Sequence, residues 1–423
     1  MHRLFHLNPE IPEERNAWYL VVEIFWASML ASAATFNAAF ALRLGASNTQ
    51  VSLLSSIPAL MAVIVSIPSG NFLNKRKNRK SWLLISLTLY RASFLIVALI
   101  PLLKLPADIV GLTVIITIVL FSSLAHFFNV GFIPLLSDVI SERNRASVFS
   151  ARNIIYNLSL SVCGFLFGLW LERVSFPINY QLLYIFGFLC SLLSVYYLIK
   201  VEEPPNTLPA TLVSSDNSIH KTKLKESISE LSLRYPGFIR ITLNTLLHGL
   251  GVWAAAPLYI LHFVRNLNAS EAWIGLYSTI ATAATILGFI LWRKLLVRWG
   301  ETSTLKRTIM WVGFYPLLVG LIWFIPSLRS LTPILLLTAI NGLIIPGVNL
   351  SHFNTLLKVT PEHNRPGYTA AYITLANIGA FVCPFIGVFI ANHFGLAITL
   401  AGCGLACIIG SCSFWLFPIQ TPK

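Results

Sequence analysis

The strongest constraint on this chain is a rhythm. Long apolar runs recur along its whole length, and the short connectors between them hold most of its charge. The sharpest case is Ser69 to Trp82, where five cations fall within the six positions Lys75 to Lys80. An apolar run ends at Leu73 just before that cluster, and another begins at Ser81 just after it. Of 423 residues, 56% are hydrophobic and 11% charged, whereas soluble domains carry about 25% charged residues. A water-soluble globule of this size cannot hide so much apolar surface. The solvent for most of the chain is therefore lipid. A spanning helix needs about 20 apolar residues, and twelve spans account for the apolar content.

Twelve helical spans can be placed at 17–43, 49–73, 80–103, 108–136, 152–174, 180–200, 237–264, 271–296, 308–326, 331–357, 367–391 and 395–417. Twelve spans put both termini on one side. If that side is cytoplasmic, the 75–80 cluster and most other cations fall inside. Only Arg43, Lys104, Arg173, Arg265 and Arg329 fall outside, and Arg91 lies within the third span. This bias follows the positive-inside rule. The net charge of +14 then reads as topology rather than as a nucleic-acid footprint, since no aromatic-interleaved basic patch accompanies it. The expected location is the plasma (inner) membrane of a bacterium, as a monomer. The residues before the first span carry Glu10, Glu13 and Glu14 without an apolar core, so that span is expected to serve as an uncleaved anchor. All six cysteines sit in apolar runs, none at metal-ligand spacing with histidine. They read as small hydrophobes, and no metal or cofactor is expected.

Residues 201–236 form the one long polar stretch, a linker between an N-terminal part (1–200) and a C-terminal part (237–423). Within it, Leu224, Ile228 and Leu231 recur at helical spacing among Lys221, Lys223, Lys225 and Arg234, the pattern of a short amphipathic helix on the membrane surface. The two parts repeat each other. Val139, Glu142, Asn144, Arg145 and Ala151 match Val359, Glu362, Asn364, Arg365 and Ala371. Farther on, Asn157, Cys163 and Phe165 match Asn377, Cys383 and Phe385. Ala46, Ser47, Leu53, Ser55 and Ile57 match Ala269, Ser270, Leu276, Ser278 and Ile280. The fold expected is an all-α membrane protein of twelve transmembrane helices in two pseudo-symmetric six-helix bundles.

Six plus six spans, a central cytoplasmic linker and a basic loop after the second span resemble the major facilitator superfamily. The loop resembles that family's signature G-x-x-x-D-[RK]-x-G-x-[RK]-[RK]: Gly70, Lys75, Arg79 and Lys80 match, while Asn74 replaces the aspartate and Lys77 the second glycine. Glu142 with Arg145, and Glu362 with Arg365, resemble the family's basic loops after spans four and ten. The resemblance implies that these positions act as cytoplasmic gating loops. A small residue at Gly70 suits close approach of a helix end to its neighbour. The alternative for the loop is a topology signal alone.

The resemblance also implies that spans one, four, seven and ten line a central cavity. Each carries a polar stripe on one helical face: Glu23, Trp26, Leu30 and Asn37; Ser122, His126 and Asn129; Asn244, His248 and Gly251; Asn341, Ile345, Asn349 and His352. Trp26, Asn37, His126, Asn129, Asn244, His248, Trp253, Asn349 and His352 are accordingly the candidate substrate contacts. Interhelical glue and plain packing are the alternatives. Glu23 lies about 9 Å into its span at helical rise. It is the candidate proton-coupling residue, with a structural ion pair to Arg15 or the loop cations as the alternative. Arg91, in a span peripheral by resemblance, is expected to snorkel or to brace a neighbour.

No G-x-x-x-x-G-K-[ST] motif occurs, so ATP hydrolysis by this chain is not the expected drive. The residues for an enzyme site are also missing: there is no H-E-x-x-H, no G-x-S-x-G and no paired carboxylates. The expectation is a secondary transporter of a small organic solute, working by alternating access, coupled to protons and leaning to efflux. Uptake or facilitated diffusion of a sugar-like solute, and a lipid-handling or sensor protein on the same fold, are the alternatives. One acid, three histidines and several asparagines along the stripes suit a neutral, weakly cationic or amphipathic solute better than a polyanion.

Overall fold

The computed structural model describes residues 11–74, 76, 78–203, 235–360 and 365–419. Lys75, Glu362 and the linker segment expected to be amphipathic lie outside these residues. For Asn74, Glu142 and Arg365, only the helical backbone is described.

Every regular element among the described residues is helical. The elements are α1 (Pro12–Ala34), α2 (Asn37–Arg43), α3 (Asn48–Asn74), α4 (Arg79–Leu99), α5 (Ala107–Val139), α6 (Glu142–Arg173), α7 (Ile178–Lys200), α8 (Pro236–Leu261), α9 (Glu271–Trp299), α10 (Glu301–Ile322), α11 (Leu331–Val359), α12 (Arg365–Phe394) and α13 (Leu396–Leu416). With α1 and α2 taken as one span, twelve are long and apolar enough to cross a membrane. The observed helices outrun the expected spans at their polar ends: α6, for instance, begins ten residues before the expected start at 152. Chain hydropathy locates the lipid, whereas the backbone hydrogen-bond ladder continues into water.

The first span is broken, which the sequence did not announce. Ser28, Ser32 and Thr35 each return their hydroxyl to a carbonyl one turn back, on Phe25, Ser28 and Ser32. Such back-bonding bends helices. Here the backbone tightens at Thr35 and Phe36, whose amides reach Ser32 and Ala33, before α2 starts at Asn37. The face that carries Glu23 therefore does not run straight on to Asn37.

The chain forms two compact units. Among the described residues, the first holds those up to Gln50, those from Met61 to the linker, and Ser270–Thr279; the second holds Val51–Leu60, the residues up to Ala269, and those from Ile280 on. The expected cut at the linker is thus joined by two exchanges, each inside a helix (α3 and α9). Within the first unit, α1 packs on α6 and α7, and α4 on α5 and α7. Within the second, α8 packs on α12 and α13, and α10 on α11 and α13. That is the same pattern displaced by half the chain.

The repeat reaches individual hydrogen bonds. Ser47 Oγ accepts the Gln50 amide at the start of α3, and Ser270 Oγ accepts the Trp273 amide at the start of α9, at 3.2 Å in both. Both serines are helix caps. Asn157 and Asn377 each donate to the carbonyl four residues earlier, at 2.8 and 2.9 Å.

Small residues set the helix spacing, as expected in lipid, where association rests on close packing. A Cβ at Gly404 of α13 would stand 2.3 Å from the Leu317 amide nitrogen of α10, and one at Gly131 of α5 would stand 2.4 Å from Leu83 of α4. Among the described residues, a Cβ at Gly70 would meet Val130 at 4.0 Å, an ordinary contact rather than a close approach. Of the six cysteines, Cys190, Cys383, Cys403 and Cys407 are buried and Cys163 and Cys412 half-buried; all are free thiols. Large apolar side chains such as Leu120, Leu166, Phe389 and Leu416 are exposed, as lipid-facing surfaces require.

Candidate functional site

Glu23 is the centre of the first unit's polar chemistry. Its carboxylate is 3% exposed. Oε2 accepts from Arg152 Nη1 of α6 at 2.8 Å. Oε1 accepts from Ser194 Oγ of α7 at 2.6 Å and lies 3.5 Å from Arg91 Nη2 of α4. Arg91 also donates to the Ser191 carbonyl at 2.7 Å and to Ser194 Oγ at 2.8 Å. Arg152 donates to the Leu20 carbonyl and lies over the Phe132 ring, 4.8 Å from its centroid. One acid thus ties α1 to three other helices. The partners differ from the expected ones: Arg15 pairs with Glu202 instead. Arg91 braces, as one expectation held, but it is buried rather than snorkelling. The sequence placed Arg152 at the first residue of the fifth expected span, on the cytoplasmic side. In the structure it sits about 15 Å along α6 at 1.5 Å per residue, deep enough to reach Glu23.

These three charges stand in the wall of a cavity of about 320 Å³ that lies wholly within the first unit. Ala27, Leu30 and Ala31 of α1, Tyr90 and Phe94 of α4, Phe128, Asn129 and Phe132 of α5 and Tyr156 of α6 line it with them. Of the candidate substrate contacts, Asn129 alone borders this cavity. Trp26 is half-buried and meets Phe25 edge-on. Asn37 accepts from the Tyr184 hydroxyl at 2.9 Å. His126 is half-buried on α5.

In the second unit, the side chains expected to line a path fall into two groups. Asn244 and His248 are buried. Asn244 donates to the Phe417 carbonyl at 3.1 Å, and His248 Nδ1 lies 3.0 Å from Ser411 Oγ. Both thereby fasten α8 to α13 and its end. His352 is half-buried, with Nε2 2.9 Å from Thr245 Oγ1 and 3.2 Å from the Tyr372 hydroxyl, so it gathers α8, α11 and α12. Trp253 lies against Gly249 and Gly379, while Asn349 is exposed.

The basic loop has definite partners inside the first unit. Lys80 donates to the Ile199 and Val201 carbonyls, placing a cation on the C-terminal end of α7, where the helix dipole favours it. Arg76 stacks on Phe72 and Trp82. Glu13 accepts from the Ser141 amide, the Ser141 hydroxyl and Asn144 Nδ2, capping the start of α6 from another helix. Arg145 donates back to the Ile140 carbonyl. Two acids lie here in the field of Arg79. Burial pushes the Asp138 carboxyl up against the pull of Arg79 and Arg145. Burial also raises Glu203; Asp138 adds to that, and Lys80 and Arg79 oppose it.

The family profile of the Major Facilitator Superfamily matches residues 22–235 and 241–423. The chain belongs to that superfamily. It is a membrane transporter of this family rather than an enzyme. Solved superfamily structures of similar fold include the nucleoside transporter NupG (TM-score 0.69, 14% identity, 95% of this chain and 100% of that one). A bacterial homologue of the human lysosomal transporter Spinster, inward-facing and unoccupied, gives 0.67 at 12% identity over 97% and 98% of the two chains. A D-xylose–proton symporter gives 0.66 at 13% over 96% and 98%. At such identities the likeness is one of fold. No curated protein matches the sequence.

One cluster in the first unit escaped the sequence reading. Glu271, 3% exposed, takes Arg43 on one side and the Tyr180 hydroxyl at 2.9 Å on the other. Beside it, a Cβ at Gly168 would stand 2.7 Å from the Glu271 carbonyl oxygen, and one at Gly275 would stand 2.5 Å from that of Gly164. The signal was present: Gly164 and Gly168 form a small-xxx-small pair on α6.

Proposed function

We propose that this transporter moves a small amphipathic organic solute across a bacterial plasma membrane by alternating access, coupled to protons, with both termini cytoplasmic. The observation that carries the reading is Glu23, a buried carboxylate that holds four helices together at the wall of a cavity. Arg91 faces it from α4 and Arg152 from α6, Ser194 bonds it from α7, and Tyr90 and Tyr156 border the same space. A proton on Glu23 would weaken its hold on both arginines and loosen α1 from α4, α6 and α7. That is how a proton could drive a conformational step. Aromatic walls from Tyr90, Phe94, Phe128, Phe132 and Tyr156 favour export of an amphipathic solute. Uptake of a sugar- or nucleoside-like solute is the second reading, favoured by the solutes named for two structures of similar fold.

The test is purified protein in vesicles loaded with a pH-sensitive dye. Solute gradients of either direction should move protons in the wild type. Glu23→Gln should lose proton movement yet retain solute exchange at equal concentrations. Proton movement that survives Glu23→Gln would remove Glu23 from the coupling. Solute flux without proton movement in the wild type would make the protein a facilitator.

A further inference from the structure

We propose that the cavity beside Glu23 binds the carboxylate of a small organic anion with an aromatic or branched apolar body, and that Arg152 is the group that grips it. The assignment rests on this cavity being the solute site of the transporter proposed above, and it names the solute's charge. It also departs from the sequence expectation of a neutral or weakly cationic solute, because two arginines now border the cavity.

The charges around the cavity do not balance. Among the described residues, the charged ones lining the cavity are two guanidiniums and one carboxylate, so one positive charge is left over. All three side chains are deeply buried, with Arg91 5% and Arg152 9% exposed. A buried charge without a partner is unfavourable in protein and more so in lipid, and such a group is usually paired or functional. The two arginines are not equivalent. Arg91 spends its head on the Ser191 carbonyl, Ser194 Oγ and Glu23. The bonds described for Arg152, to Leu20 and Glu23, both run through Nη1. Its remaining edge makes none of them, and its face is packed on Phe132. A guanidinium edge is a good carboxylate fork.

The rest of the cavity selects the body of the ligand. Apart from Asn129 and the hydroxyls of Tyr90 and Tyr156, the other lining residues are alanines, larger aliphatics and phenylalanines. A volume of about 320 Å³ lies at the small end of ligand pockets, suited to one ring or a short branched chain rather than to a two-chain lipid. A cationic solute would add to the excess charge. A dianion would reverse it.

The test uses the full chain in a neutral detergent, titrated calorimetrically with benzoate, phenylacetate and hexanoate, with benzamide, hexanamide and benzylamine, and with a lysophosphatidylglycerol. In the wild type, at least one carboxylate should bind about tenfold or more tighter than its amide, and benzylamine should not compete. Arg152→Gln should erase that preference. Glu23→Gln, which removes the carboxylate already on Arg152, should tighten carboxylate binding by about tenfold or more. Equal binding of amide and carboxylate would overturn the proposal. So would a preference for benzylamine, for the lysolipid alone, or for none of the probes. The wild-type comparison needs no variant, so a poorly folding mutant does not shield the idea. If carboxylates fail to bind while solutes still drive protons across vesicles, this assignment falls and the transporter reading stands. If carboxylates bind but no solute gradient, theirs included, moves protons, the proton-coupled reading falls instead.

Discussion

Glu23→Gln is the most informative single change, because it leaves Arg91 and Arg152 in one cavity wall with no acid between them. Breaking a buried ion pair by removing one partner costs about 3–5 kcal/mol. Most of that belongs to the charge left behind, so a second substitution should recover part of it. Glu23→Gln with Arg91→Met returns the cavity to a single guanidinium, the same net charge as the native protein. Met is also long and apolar enough to refill the space. The double variant still lacks the carboxylate that Arg152 holds in the wild type, and it also forfeits Arg91's bonds to Ser191 and Ser194. Interhelical hydrogen bonds in membranes average about 0.6 kcal/mol, so those two bonds amount to roughly 1 kcal/mol, less than the roughly 2 kcal/mol returned by removing one of the two guanidiniums left without an acid. The assay is unfolding in mixed micelles at rising SDS fraction, followed by tryptophan fluorescence, with eleven reporters in the chain. The expected order of midpoints is wild type, then the double variant, then Glu23→Gln. A double variant as unstable as the single one, or worse, would refute the argument from charge excess.

Tyr180→Phe, at a fully buried ring, removes a donor from Glu271 and should cost about 1.5–3 kcal/mol on the same SDS scale. Arg43→Gln should cost less, because its head is half-exposed and screened. Gly404→Leu should abolish the folded, monodisperse peak in size-exclusion chromatography, since even its Cβ would overlap the Leu317 backbone. Gly402→Leu, with nothing within 4 Å, is the control that should elute normally. Acidification should favour the first unit through Asp138 and Glu203. Both are raised chiefly by burial, so their contribution is full below the ordinary carboxylate range and is lost as pH rises through the raised values. A thermal-unfolding series across that range should show less acid-side stabilisation in Glu203→Gln than in the wild type, and identical slopes would refute the assignment.

The architecture was legible because it depends on composition within windows. An apolar run long enough to cross lipid must be helical there, and a repeat of Ser47 in Ser270 or of Asn157 in Asn377 needs only counting. The partners of Glu23 were not legible. Arg91, Arg152 and Ser194 are 68, 129 and 171 positions away, and nothing in a single sequence says which faces of which helices meet. Arg152 was also misplaced by depth, since hydropathy marks where lipid begins and not where a helix begins. The break before Asn37 was hidden for another reason. It arises without proline or glycine, from three hydroxyls turned back on their own helix. The exchange of α9's first turns was written in Gly164 and Gly168, but a small-residue pair does not name the helix it will meet.

None of the six cysteines is exposed, and that bears on how motion in this protein can be watched. Water-borne thiol reagents have little native target, so the unaltered chain is its own blank for labelling. Single cysteines introduced at exposed loop positions, for example at Lys104 in the first unit and Ser330 in the second, would then carry spin labels or a dye pair without stripping the native thiols first. Distances recorded through a turnover would time each half-cycle directly, on a background the fold already keeps silent.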